Sequence, residues 1–294
     1  MTEVIEERMG SRAAYTLRNY KASKRLFEQF ENAKYANLPV EDLDALVIEN
    51  FEKYLLGTLK VKKNTSSAYL RPLRCIYNQA VERGLCTDKH PFSKVYTGIE
   101  KTRKRALTLD TLKKVFTWKI VDDEELALFR DLFAFSFFTH GMSFIEMAKL
   151  QMGNISNGEI NYQRSKTHNN IRIRMDSQAL KIIGNYHKEG DEYVFPLFEN
   201  GFNYNEYNTL IHKYNRNLKR LSKMMELDCQ LTTYCARHSW ATIAYKEQVP
   251  ISVISNCLGH STELMTHIYL QSIDDGEIDR QCSKVSKLFD DILA

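Results

Sequence analysis

The sequence predicts a mainly α-helical protein with a small β-sheet, an α+β chain in two domains. Three observations predict this. A length of 294 residues suggests two ordinary domains rather than one. Apolar residues recur at three- and four-residue steps through most of the chain. Strict alternation, the signature of a strand, is convincing only between residues 159 and 175. Apolar residues make up 43% of the chain, enough for a sizeable core. With 12 Gly, 5 Pro and no long Ser- or Gln-rich tract, disorder is expected only at the ends.

The elements follow in order. Ala13 to Phe30 and Glu41 to Leu59 carry apolar stripes of helical period; the second holds Leu43, Leu46, Val47, Phe51, Tyr54 and Leu55. Asn64 or Thr65 can cap a third helix that runs to about Arg83 and closes at Gly84. Residues 1–87 therefore read as a small helical bundle. Residues 88–106 lose the periodicity and end in the basic run Lys101 to Arg105, which marks them as a linker. Thr108 reads as an N-cap, with helices at about 109–118, 123–139 and 143–150. Glu159 to Arg164 and Ile171 to Met175 form a hairpin whose polar tip, Ser165 to Asn170, is expected to be loose. Helices resume near 177–188, 204–226, 236–248, 250–258 and 262–271, so the second domain spans 107–272. Residues 273–294, with Val285, Leu288, Phe289, Ile292 and Leu293, read as a separate amphipathic tail helix.

Composition narrows the partners. The net charge of +4 is mild, so clustering has to carry the argument. Lys60, Lys62, Lys63, Arg71 and Arg74 form one cluster, and Lys101, Arg103, Lys104 and Arg105 form another. Such patches suit a phosphate-binding face, although solvated helix ends explain each cluster equally well alone. The six cysteines show no CxxC spacing, Glu3, Glu6 and Glu7 interrupt any leader-like apolar run, and no stretch approaches a membrane span. A reducing cytoplasm is the expected setting. The histidines show no metal-ligand spacing and no Gly-rich nucleotide loop is visible, so neither metal nor cofactor is expected.

Three features crowd the end of the second domain: Ala236-Arg237-His238-Ser239-Trp240-Ala241-Thr242, then Leu258-Gly259-His260, then Tyr269. An arginine fork matches phosphate oxygens bidentately. A histidine beside it can hydrogen-bond a further oxygen or move a proton. A tyrosine hydroxyl can attack phosphorus if its ionisation is assisted. Each residue alone has a plain structural reading; order and spacing carry the signal.

Tyr234-x-x-Arg237-His238, Leu258-Gly259-His260 and Tyr269 nine residues on resemble the signature of the tyrosine recombinase (phage integrase) family. The string ARHSWAT, with Phe138-Thr139-His140-Gly141-Met142-Ser143-Phe144, resembles its Bacteroides-type subgroup. The resemblance implies a helical core-binding (SAM-like) domain followed by a catalytic domain, closing as a clamp on duplex DNA. It implies Tyr269 as nucleophile forming a 3′-phosphotyrosyl bond, with Arg237 and His260 on the scissile phosphate and Lys166 protonating the leaving 5′-oxygen. It also implies double-stranded DNA with short inverted or direct repeats as partner, a homotetramer on DNA, a tail helix docked on a neighbouring protomer, and a bacterial, nucleoid-associated location. Lys62, Lys63, Arg71, Lys101, Arg103, Lys104 and Arg105 are the expected DNA contacts.

Two positions depart from the family pattern. Ser143 stands where the first catalytic arginine is expected, and Tyr234 where the first histidine of the His-x-x-Arg box is expected. Arg164, two residues before Lys166 and on one strand face with it, is expected to supply the missing charge. His140 is a weaker substitute. A DNA-binding protein of this fold with impaired catalysis, and a topoisomerase-like enzyme that nicks and reseals, stay open as alternatives. Inversion and integration or excision are not distinguished, and an additional amino-terminal arm-binding domain is not expected.

Overall fold

The computed structural model describes residues 14–34, 38–100, 106–270 and 283. The chain divides into two compact units, Met1–Thr102 and Arg103–Ala294. The expected tail helix lies outside the described residues, Ser283 excepted.

In the first unit, helices α1 (Ala14–Lys34), α2 (Ala45–Lys53) and α3 (Lys63–Glu82) enclose a core of Phe27, Phe30, Val47, Ile48, Phe51, Leu55, Leu70 and Leu73. The continuous helix expected from Glu41 to Leu59 is broken. Val40–Asp42 forms a 3₁₀ turn, and Asp44 then accepts a hydrogen bond from the Val47 N–H at 2.9 Å as an N-cap. A short acidic side chain at that point caps a new helix better than it continues an old one. Tyr54–Thr58 follows as a π turn. Neither Asn64 nor Thr65 caps α3, which begins at Lys63 with Lys62 in the cap position. The Asn64 amide instead pairs with the Glu100 backbone in both directions, at 3.0 and 2.7 Å.

That pairing belongs to a larger departure from the expected linker. Phe92 and Val95 are buried in the first core, and the Tyr77 hydroxyl accepts from the Lys89 N–H at 2.8 Å. Ser67 donates to the Gly98 carbonyl at 2.6 Å, and Arg74 to Thr97 at 2.6 Å. Residues 88–100 are therefore part of the helical unit, although they lack helical period. Their two apolar anchors are too few to register as a pattern.

In the second unit, α4 (Leu109–Thr117) starts at the expected Thr108 cap. The apolar α5 (Glu124–Phe138) is the central helix and packs on α7 (Ser177–Tyr186), α8 (Tyr204–Met224) and α9 (Thr233–Lys246). Leu132, Phe133 and Phe135 of α5 are fully buried, and Phe129 stacks on Tyr214 at 5.0 Å. Helix α6 (Phe144–Lys149) leads to an antiparallel sheet of β1 (Ile155–Ser156), β2 (Glu159–Gln163) and β3 (Asn170–Arg174), in the order β1-β2-β3. Ile160 faces Ile173 and Tyr162 faces Ile171 in register, with Ile160, Ile171 and Ile173 buried. The last described helices are α10 (Ile251–Leu258) and α11 (Glu263–Leu270). Among the described residues no helix is long and apolar enough to cross a membrane.

Candidate active site

Helix α9 begins three residues earlier than periodicity suggests, because Thr232 caps it. This start places Arg237 one turn into the helix, only 3% exposed. Its Nη1 donates to the Gly141 carbonyl at 2.8 Å, and its Nη2 to the Leu258 carbonyl at 2.5 Å and to His260 Nε2 at 3.2 Å. The close approach of Arg237 requires a residue without a side chain at 141. A Cβ there would lie 2.8 Å from Arg237 Cγ, and the backbone has φ +79.

The second arginine enters from the hairpin. Arg164 directly follows β2 and is 8% exposed, with Nη1 donating to the Gly259 carbonyl at 2.5 Å. Thr167 donates to the same oxygen at 2.9 Å, and Asn169 donates to the His260 carbonyl at 3.2 Å. Gly259 ends α10 at φ +61, and a Cβ there would meet Ile171 at 2.8 Å and Arg164 at 2.9 Å. The hairpin tip, expected to be loose, is thus tied down. Ser165 completes it by donating its N–H and hydroxyl to the buried Glu146 carboxylate at 3.1 and 3.2 Å.

Burial is the main cause of the shifts here. It pushes the Glu146 carboxyl up. Together with the charge of Arg237, burial pushes the Arg164 guanidinium down, although an arginine stays charged in a folded protein. His260 is held down to about 4, first by burial and then by Arg237, Arg164 and Lys166. Its Nδ1 pairs with the Thr266 hydroxyl at 2.8 Å. Among the described residues no carboxylate lies within ion-pair distance of Arg164 or Arg237. Two buried cations without a paired anion form a site with a strong preference for an anionic ligand.

The His260 shift has a consequence for stability. Between pH 6.5 and about 4 the unfolded chain takes up a proton that the folded His260 refuses, so stability falls as pH falls through that window. Thermal melts from pH 7 to pH 5 are expected to fall less steeply for His260→Gln than for the unsubstituted chain. Equal slopes would remove His260 as the source.

The other expected residues are placed as follows. Lys166 is exposed on the turn after β2, so it does not share a strand face with Arg164, as i to i+2 spacing had implied. The strand ends at Gln163 and the turn breaks its period; both charges nevertheless act on His260. Tyr234 lies 45% exposed in the first turn of α9, with its ring 5.3 Å from that of His238. Tyr269 belongs to α11; its side chain is outside the described ones. Ser143 occupies the N-cap position of α6 without a side-chain cap bond. The His140 ring lies 5.0 Å from that of Trp240, tilted by 30°.

Of the expected DNA contacts, Lys62 is exposed, while Lys63 pairs with Glu100 at 2.9 Å and covers the Tyr96 ring. Arg71 bonds the Ser67 carbonyl at 3.3 Å. Lys101, Arg103, Lys104 and Arg105 lie outside the described residues.

Sequence reading missed Tyr162, Gly141 and Thr266. Tyr162 shares its strand face with buried Ile160, and burial pushes it up to about 12 while Arg237 and Arg164 pull the other way. Strand parity with Arg164 was the available signal for it.

Residues 119–275 match the phage integrase family, and residues 1–96 match the phage integrase SAM-like domain. No curated protein matches the chain in sequence. In structure it resembles a lambda integrase dimer bound to a COC′ core site, at TM-score 0.70 and 18% identity, covering 90% of this chain and 92% of that one. It also resembles the Tn1549 transposon integrase in complex with transposon right end DNA, at TM-score 0.71 and 13% identity, covering 97% and 98%. The XerH site-specific recombinase bound to difH gives TM-score 0.66 and 16% identity, covering 92% and 79%.

Proposed function

The chain belongs to the phage integrase family of site-specific tyrosine recombinases, and on that premise we propose that Tyr269, Arg237, Arg164, His260 and Lys166 carry its chemistry. The observation that supports this assignment is the pair of buried arginines, neither in an ion pair among the described residues, that both act on His260, three residues before the helix that carries Tyr269.

In the proposed step the Tyr269 oxygen attacks the scissile phosphorus and gives up its proton to solvent water. The P–O5′ bond breaks, and Lys166 supplies a proton to the leaving 5′-oxygen. A 3′-phosphotyrosyl bond retains the energy of the broken diester, so the reverse step needs no nucleotide. Arg237 and Arg164 neutralise the non-bridging oxygens, whose charge is greatest at the pentacoordinate stage. Their positions are fixed before DNA arrives by backbone carbonyls at 141, 258 and 259. Tyr234, at the exposed edge, donates a hydrogen bond to the same phosphate, a role open to its hydroxyl at neutral pH.

Arg164 takes the place of the arginine that Ser143 does not supply. Arg164→Ala is expected to reduce strand cleavage by roughly 100-fold or more while DNA affinity changes little. Arg164→Lys, which keeps the charge but loses the fork, falls between. Near-normal cleavage by Arg164→Ala would leave Arg164 as a hairpin anchor only.

The partner is double-stranded DNA with short inverted or direct repeats, bound by a homotetramer in a bacterial cytoplasm at the nucleoid. The string ARHSWAT supports the Bacteroides-type subgroup as the chain's place within the family. The deciding experiment incubates the protein with host DNA, stops with SDS, digests with trypsin and sequences the DNA-linked peptide. A peptide containing Tyr269 supports the reading. DNA binding without any adduct would favour a binding protein that has lost catalysis, for which Ser143 gives the motive. Product topology separates strand exchange from simple nicking and resealing.

A further inference from the structure

We propose that Thr266 is a positioning residue acting through His260. Its hydroxyl, able to accept from or donate to Nδ1, lets the neutral imidazole change from accepting Arg237 to donating to the scissile phosphate. The inference rests on the recombinase reading above.

Arg237 Nη2 carries only donor hydrogens, so the 3.2 Å contact requires a lone pair on His260 Nε2. The ring proton of the DNA-free chain is therefore on Nδ1, and Thr266 Oγ1 accepts it at 2.8 Å. A phosphate that takes over the guanidinium places an acceptor oxygen opposite Nε2, and the ring must then present an N–H there. A second proton would serve, but burial opposes it. So do the cations that face the ring, Arg237 from α9 and Arg164 and Lys166 from the hairpin. The remaining route is a tautomer shift: the Nδ1 proton passes to solvent, a proton from solvent joins Nε2, and net charge is unchanged. Nδ1 then needs a donor, which a rotated hydroxyl supplies and a methyl group does not.

Thr266 is fully buried, so water does not readily replace it. It also lies on α11 three residues before Tyr269, so the same bond ties the nucleophile's helix to the phosphate site.

The test has two arms. In the DNA-free protein, long-range ¹H–¹⁵N spectra should show His260 protonated on Nδ1, a tautomer that Arg237 still imposes in Thr266→Val, whereas the hydrogen-bonded shift of that Nδ1–H should be lost in the variant. In the second arm, labelled sheared host DNA is incubated with each variant and adducts are precipitated with SDS and potassium. Thr266→Val is expected to form adducts roughly tenfold more slowly or worse, and Thr266→Ser to stay within about threefold of the unsubstituted rate. In a His260→Ala background, Thr266→Val should cost nothing further. A proportional loss in both backgrounds, or no loss in either, overturns the proposal, as does an unsubstituted His260 protonated on Nε2. Absence of any adduct from the unsubstituted protein overturns the recombinase reading instead, and the spectra still decide the Thr266 pairing.

Discussion

Tyr269→Phe is expected to abolish covalent protein–DNA adducts, a loss of at least about 10⁴-fold, while DNA binding stays within about twofold. The substitution removes one oxygen and keeps the ring, so packing in α11 changes by a single polar atom. Both buried arginines are anchored on backbone carbonyls. Binding should survive because phosphate contacts supply most of the affinity of a protein for DNA. Gel-shift and SDS-trapping assays on one preparation measure both quantities. Residual adduct would point to another nucleophile and would remove Tyr269 from the mechanism.

Arg237→Met is expected to reduce cleavage by about 10³-fold or more while the melting temperature moves by no more than about 5 °C. Ordinarily the loss of a buried side chain with three hydrogen-bond partners would destabilise the fold. Here two effects oppose each other. The carbonyls of Gly141 and Leu258 lose a donor, at about 1–3 kcal/mol each. Against that, a cation buried without a paired carboxylate is replaced by an apolar chain of similar length, a change that is often neutral or stabilising by about 1–4 kcal/mol. Activity lost with stability retained is what a phosphate-binding arginine should show. A fall of more than about 10 °C in the melting temperature would make Arg237 a structural strut. Parallel calorimetry and cleavage assays on Arg237→Met distinguish the two.

Several parts of the site were legible in the chain because each is encoded in contiguous residues. Thr108 capped its helix as periodicity implied, Gly259 closed α10, and the strands at 159–163 and 170–174 followed their alternation. Arg237 and His260 were readable from order and spacing, and they do meet, through Nη2 and Nε2. The break at Asp44 was less legible. Its apolar stripe continues through Leu43 and Leu46 while the backbone does not, since a side-chain cap competes with helix propagation at a single residue.

The sequence by itself determined the fold class, the family signature and which tyrosine is proposed as the nucleophile. Helix period, caps, glycines and motif spacing are local quantities. Only the tertiary structure decided which cations gather around His260 and which residues belong to the helical unit. Arg164 is buried because Gly259, 95 residues away, offers its carbonyl and has no side chain to block the approach. Residues 88–100 join the helical unit because Phe92 and Val95 find space in its core, and Lys63 and Arg74 bind that segment. Charge, burial and hydrogen bonding at those positions depend on partners distant in the chain, and no local pattern encodes such partners.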